Sequence, residues 1–441
     1  MRKNNILNWI KLSSFIFALS SLFASCSNEL DEALQPTGNG NLQFVVSDFP
    51  TFGESTQTRA IGTQDEGKTA WENGDQIIVT LISQKYGEQA VALTYNGSSW
   101  STEASLSYLE NETPSVSVFY APCYEVTEEG TMQLRSGMQL GMTEYLSGNY
   151  EMENGIMTIT FEGAIRDYSR LRIAGLANQT LTVTTTNFTP AGATEVATAA
   201  YTLTTDNNGN AFLYGVFAEG ATVIVKQGDI TLKDYTFTAE KNPNGTEYNK
   251  SYALDATPVI DGTLGGKAEA TEDDITALVE QLKEYVDNGI TTIIVPGTEY
   301  AMYKSNLGTI PAFAEALYLL TDLNEDSPYC GTIDLILPDT TEIIDFSFDS
   351  ADALKSITLP KVTTVGDGAF YGCYYLQTIT FGSVVTAINH NTKAEFHWVG
   401  KKVEGCDLVL NREQVNAEAE YQPNIETRTW WNTEWKSITL K

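Results

Sequence analysis

A 22-residue recurrence near the C-terminal end constrains this chain more than any other feature. Leu335-Ile336-Leu337-Pro338, Ile357-Thr358-Leu359-Pro360 and Ile379-Thr380-Phe381-Gly382 begin at positions 335, 357 and 379. Phe348 and Phe370 keep the same spacing, as do Leu354 and Leu376. A unit this short cannot bury its own apolar side chains and does so only by stacking on a neighbour. The expected product is a short α/β solenoid. Its core ladder would comprise Leu335, Leu337, Phe348, Leu354, Ile357, Leu359, Phe370, Cys373, Leu376, Ile379 and Phe381. The pattern stops at Thr392, where the next Phe is due, so residues 383–441 read as an irregular C-cap containing Trp398, Trp430, Trp431 and Trp435. A helical N-cap is expected at the other end. Thr271-Glu272-Asp273-Asp274 supplies capping acceptors. Ile275, Leu278, Val279, Leu282, Tyr285 and Val286 then share one helical face until Asn288-Gly289. A strand over 291–295 and an amphipathic segment over 311–320 follow.

Upstream the periodicity changes. Residues 60–258 hold short segments rich in Val, Ile, Thr, Tyr and Phe, separated by turn residues. Asn96-Gly97 between Ala90–Tyr95 and Trp100 marks a tight hairpin, because both residues tolerate positive φ. Asn154-Gly155 marks another within 150–161. Almost no stretch has helical spacing. The fold expectation is mainly β. Two tandem β-sandwich domains, 60–165 and 166–258, are followed by a linker at 259–270 and the repeat domain at 271–441.

The first residues read as an export leader. Arg2, Lys3 and Lys11 precede an apolar run from Phe15 to Ala24, and Leu22-Phe23-Ala24-Ser25 leads into Cys26. Ser13, Ser14, Ser20 and Ser21 break the run, which argues against a membrane-spanning helix. The small residues before Cys26 resemble a bacterial lipobox, with Phe23 where Leu is more usual. That resemblance implies that 1–25 is a lipoprotein signal peptide and that Cys26 is acylated (palmitate); the polar stretch after it makes 26–59 read as a tether and candidate pro-segment. The membrane would then be a partner through the lipid anchor.

Charge excludes one class of partner. The chain of 441 residues carries a formal net charge of −31. Such a surface repels phosphate backbones, so no nucleic-acid partner is expected. Hydrophobic content of 42% is enough for sizeable cores. Catalytic signatures are missing. His390 and His397 are the only histidines, with no nucleophile or carboxylate at a recognisable spacing. Cys123, Cys330, Cys373 and Cys406 show no paired-ligand spacing, so neither metal nor cofactor is expected. Asp206-Asn207-Asn208-Gly209-Asn210 resembles the start of a calcium loop, but Ala211 and Phe217 stand where Gly and Glu belong. Tyr371, Tyr374 and Tyr375 can be read either as core or as a contact face.

Two resemblances follow from particular residues. Trp71-Glu72-Asn73-Gly74-Asp75-Gln76-Ile77-Ile78-Val79, the hairpin ending in Trp100, and Phe119-Tyr120-Ala121-Pro122 resemble fimbrillin-like surface lipoproteins over about 42–258. The stretch from Leu354 to Leu376 resembles BspA-type leucine-rich repeats. The first resemblance implies cleavage after an arginine, here between Arg59 and Ala60, with loss of the strand over 41–46. The groove left behind would accept a donor strand from another fimbrial subunit. Because repeats occupy the C-terminal end, the implied role is a fimbrial accessory or tip subunit at the outer membrane or cell surface. The expected function is non-enzymatic adhesion through the repeat domain to an unknown surface protein or glycan. The alternative is a surface glycan-binding lipoprotein.

Overall fold

The computed structural model describes residues 43–50, 68–109, 112–153, 155–161, 166–238, 245–306, 308–322, 324–388 and 395–441. Cys26, Arg59, Ala60, His390 and Thr392 lie outside the described residues. The described part is mainly β.

A seven-stranded sheet comes first. Its order is Gln43–Val46, Ile156–Thr160, Leu146–Glu153, Ser115–Tyr120, Gln76–Ser83, Gly87–Tyr95 and Trp100–Ser101. Alternation fixes its buried face: Ile77, Val79 and Leu81 point into one cluster with Val91, Leu93, Val118 and Ile159. Gly97, at φ +93°, makes the turn that pairs Tyr95 with Trp100. The leading strand, Gln43–Val46, sits at the sheet edge. It pairs parallel with Ile156–Ile159, whereas the other pairings of this sheet are antiparallel.

A six-stranded sheet follows, with the order Ala197–Thr204, Thr180–Pro190, Asn210–Gln227, Ser169–Ala174 and Ser251–Asp255; Ile230–Thr236 pairs with Asn210–Gln227. Alternation in the sequence marks strands over 211–217 and 222–226, and the structure joins them into one strand of 18 residues. Its two halves are separated by exposed Ala218, Glu219 and Gly220, and Gly220 takes φ +78°. The neighbouring strand bulges at Asn187, φ +49°, and so follows the bend.

The two sheets pack on each other through charge and rings. Arg166 and Glu144 form a buried pair at 2.9 Å, and the Tyr168 hydroxyl donates to the same carboxylate at 3.2 Å. Tyr168 and Ala191 pack in the core of the first sheet. Beyond the second sheet, the turn at Gly228 docks on the repeat region. Asp229 N donates to Asn288 Oδ1 at 2.8 Å, Gln227 Nε2 donates to Gly289 O at 3.2 Å, and Ile230 enters the repeat core.

That core is a parallel ladder. Strands Thr292–Ile294, Ile333–Ile336, Leu354–Leu359, Thr378–Phe381, Asp407–Leu410 and Ser437–Leu440 stack in register, aligning Ile293, Leu335, Ile357, Ile379, Leu408 and Ile438. A second, shorter ladder aligns Ile343, Val365 and Ile388. Between them runs a column of rings. Phe348 and Phe370 stack at 5.5 Å and 12°, and Phe370 and Phe396 at 5.6 Å and 8°. Every ladder residue named from the 22-residue pattern is buried here. Helix α1, Glu272–Asp287, closes the first end. Its Thr271–Asp274 capping box is complete, and Ile275, Leu278, Val279 and Leu282 face the core. Helix α2, Ala312–Leu319, packs against α1 and supplies Phe313 to the ring column.

The irregular C-cap is corrected. Two further rungs form within 383–441, at Leu408 and Ile438, and Phe396 takes the ring position expected at Thr392. The loops between these late rungs are longer than the period, which hides them from a fixed-period search. Gln414 restores the order that the loops disturb. It is fully buried, accepts from Val385 N at 2.8 Å and donates to Val385 O at 2.9 Å, so its amide acts as a replacement peptide. Trp430 and Trp435 then pack on Phe396. Close stacking also dictates Gly366: a Cβ there would lie 2.4 Å from Asp345 N.

Removing the middle ring tests the column. Phe370→Ala is expected to cost about 3–5 kcal/mol, read from the urea midpoint of the whole chain. Gln377→Ala, on an exposed position of the same repeat, should stay within about 0.5 kcal/mol. Equal midpoints for the two variants would show that the ring column is dispensable.

Candidate binding surface

Each repeat turns a corner just after its column Phe. The corner residue takes the left-handed backbone region: Ser350 at φ +54°, Gly372 at +69° and Trp398 at +65°. Gly accepts this conformation freely, whereas a bulky side chain pays for it. Strain of that kind is commonly of order 1–3 kcal/mol and persists where the surroundings over-determine it. Trp398 nevertheless occupies the corner and remains 39% exposed.

The corners form a row of rings outside the ladder. Tyr371 lies 5.2 Å from Trp398 and 5.9 Å from His397; Tyr374 lies 6.1 Å from Trp398, with ring planes 19° apart. His397 is exposed, while Tyr371 and Tyr374 are half-buried. Lys401 Nζ stands 5.1 Å from the Trp398 ring centre, a cation–π distance. One rung earlier, the positions of Tyr371 and Tyr374 are held by Asp349 and Asp352. The strip therefore passes from carboxylates to tyrosines to His397, Trp398 and Lys401.

The carboxylates are perturbed. Burial pushes Asp352 up to about 6, opposed by the hydrogen bond it accepts from Tyr374 N at 3.3 Å and reinforced by the charge of Glu325. Burial also raises Asp349, against the hydroxyl hydrogen bond from Ser350. On α2, burial raises Glu315. Tyr375 is held apart from the strip: its hydroxyl donates to Glu325 O at 2.8 Å, and Lys402 pairs with the Glu325 carboxylate.

The ladder residues Leu335 to Phe381 are core and position this surface without forming it. Of the three tyrosines singled out in the sequence, Tyr371 and Tyr374 join the strip. His397, Trp398 and Lys401 were not recognised with them, because the shifted period placed them in a supposed cap. Aligning Trp398 with Gly372 would have exposed the signal. Cys123, Cys330, Cys373 and Cys406 are free thiols. Burial raises the pKa of Cys373 well above its usual value, and the thiol donates to Phe348 O at 2.9 Å. Among the described residues no His, Cys, Asp or Glu cluster has metal-binding geometry. None of their helices is long and apolar enough to cross a membrane. Asp206 instead closes its own turn, its carboxylate accepting from Asn208 N and Asn210 N.

Residues 328–396 match the family described as the BspA type leucine rich repeat region, in six copies. The C-terminal repeats are thus BspA-type leucine-rich repeats. No curated protein matches the chain. A solved structure, a candidate cell adhesion protein from Bacteroides fragilis, is 12% identical with a TM-score of 0.25. The alignment covers 49% of this chain and 93% of that one. A superposition so poor carries no argument about fold or role.

Asp352 yields a pH test. Its folded-state pKa is raised, so its ionisation costs stability as pH rises through about 6, and that cost vanishes below the unfolded value near 4. Asp352→Asn keeps the acceptor for Tyr374 N. The variant should melt above the parent chain at pH 7.5, with the gap closing at pH 4. A gap that widens on acidification would contradict a half-buried, destabilised carboxylate.

Proposed function

We propose that this chain is a non-enzymatic cell-surface adhesion protein that makes contact through its leucine-rich repeats. The observation that carries the reading is the row of Tyr371, Tyr374, His397 and Trp398 on the outer corners of the ladder. Exposed His397 and Trp398, backed by half-buried Tyr371 and Tyr374 on a rigid scaffold, supply contact area at small entropic cost. In this reading 60–165 and 166–258 are β-sandwich stalk units and the repeats form a solenoid head. The docking of Gly228 and Asp229 on Asn288 supports a stalk that holds the head firmly.

The surface attachment is part of the same proposal. The leader ends at Cys26, which carries lipid, and the repeats face outward as a fimbrial accessory or tip. Cleavage after Arg59 would release the leading strand. The way that strand is held supports this step. It is an edge strand, and the segment after it is gripped largely through backbone atoms. Trp71 Nε1 donates to Ser47 O at 2.8 Å and an Arg166 Nη donates to Pro50 O at 2.8 Å. Such contacts ask little of the sequence they hold, as suits exchange for a donor strand. Phe49 is the specific element, edge-on to Trp71 and Tyr120 at 4.8 and 5.4 Å.

Two measurements test the proposal. Beads coated with the full chain should adhere to epithelial or bacterial cells, and Tyr371→Ala with Trp398→Ala together should lower adherence roughly tenfold, the scale of about 1.4 kcal/mol. Adherence unchanged by the double substitution, with the melting curve intact, would remove the repeats from the role. Mass spectrometry of the surface-extracted protein should find acylated Cys26 or Ala60 as its first residue. An intact Met1 would end the lipoprotein part.

A further inference from the structure

The chemistry of the strip narrows its ligand. We infer that it binds a neutral glycan, laid along the ladder axis, with Trp398 and Tyr371 stacking on sugar rings and Asp349 and Asp352 accepting from sugar hydroxyls. This rests on the adhesive reading above and adds the class of ligand.

Geometry supplies the first argument. Adjacent strands of a sheet are ~4.8 Å apart, and the rings on neighbouring corners are separated by 5.2 to 6.1 Å. These spacings are of the order of one pyranose ring along a chain. Tyr371 on one rung and Trp398 on the next thus present two aromatic platforms for neighbouring sugars. The apolar C–H face of a pyranose packs on a ring, while its edge keeps its hydroxyls for polar partners. Carboxylates at the neighbouring rung are strong acceptors for those hydroxyls.

Charge supplies the second. The chain carries −31, and Asp349, Asp352 and Glu325 lie near the strip. Asp352 and Glu325 beside Tyr374 disfavour an acidic polysaccharide at that end of the strip, while Lys402 is already paired with Glu325 and Lys401 covers the Trp398 ring. A protein partner is served less well. Protein hot spots sit in a desolvated apolar centre with polar groups at the rim. Here exposed His397 and Lys401 stand among the rings, and carboxylates continue the row.

The third is the conformation of Trp398. The left-handed backbone favours glycine or a small residue at this corner, as Gly372 and Ser350 hold it in the two preceding repeats. A tryptophan held there and exposed has a use other than stability.

The test uses Trp398→Gly, which removes the ring and suits the left-handed backbone. The full chain is run by native electrophoresis in gels containing laminarin, glucomannan, xylan or soluble starch, with polygalacturonate as the acidic counterpart. Retardation is expected in at least one neutral gel and not in polygalacturonate. Trp398→Gly should weaken it tenfold or more without lowering the melting temperature, and Tyr371→Ala should weaken it less. No retardation in any neutral gel, retardation in polygalacturonate alone, or equal retardation of Trp398→Gly and the parent chain would overturn the inference. Bead adherence separates this from the adhesive reading. Adherence should fall when the target cells are pretreated with periodate, which cleaves vicinal diols. Adherence that survives periodate but falls in Trp398→Gly keeps an adhesin and discards the glycan. Absence of adherence under all conditions discards the adhesive reading, and the gels alone then decide the glycan.

Discussion

Stacking of one repeat on the next is the interaction on which the rest of this molecule depends. No single repeat has a core. Leu335, Ile357 and Ile379 are buried only because each lies between neighbours, and Phe348, Phe370 and Phe396 share the same arrangement. Hydrogen bonds along the ladder fix the register, and side-chain bonds sharpen it. Ser356 Oγ donates to Asp334 at 2.6 Å, and Ser437 Oγ donates to Asp407 at 2.7 Å, the same contact at two rungs. Fixed register means that outward corners also repeat. Whatever residue occupies a corner is presented at regular intervals on a rigid backbone. The row of corner side chains is thus a by-product of the core's periodicity.

This explains which parts of the fold were legible. The 22-residue spacing shows wherever the loops keep constant length, so the rungs at 335, 357 and 379 are plain in the sequence. Later rungs keep the strand chemistry but lose the spacing. Lys436-Ser437-Ile438-Thr439-Leu440 repeats Lys355-Ser356-Ile357-Thr358-Leu359 residue for residue. A search by content would have found the final rung where a search by period did not. Gln414 was invisible to either approach, because a side-chain amide standing in for a peptide leaves no pattern. In the β region, alternation marked Ala90–Tyr95 but not Ser169–Ala174, which lies at the expected domain junction. It divided Asn210–Gln227 in two because exposed residues interrupt the pattern at the bend. The parallel placement of Gln43–Val46 was not legible, since alternation gives the face of a strand and not its partner.

The same reasoning explains why the strip was only half seen. Tyr371 and Tyr374 belong to a regular repeat, and their neighbours in sequence raise the question of core or surface. Trp398 and His397 are assigned to the strip only when Phe396 is placed in the column. Once it is, the tryptophan falls at the corner of Ser350 and Gly372.

Mechanical continuity holds the strip in place. A contact face serves little if the element bearing it swings freely. Here Gly228 approaches Asn288 so closely that a Cβ would lie 2.3 Å from its Oδ1, and Ile230 is part of the repeat core. The Glu144–Arg166 pair joins the first sheet to the second within a buried setting. Breaking such a pair leaves a buried charge uncompensated, at a cost of about 3–5 kcal/mol. Burial raises the Glu144 pKa and the nearby arginine opposes it, so the pair is held by mutual need more than by favourable solvation. Load applied at the corners therefore passes through packed apolar groups, then through hydrogen bonds at a helix end, then through a buried ion pair. The junctions are short, and the ion pair and the apolar groups are buried, so the described sheets and repeats are tied together by direct contacts.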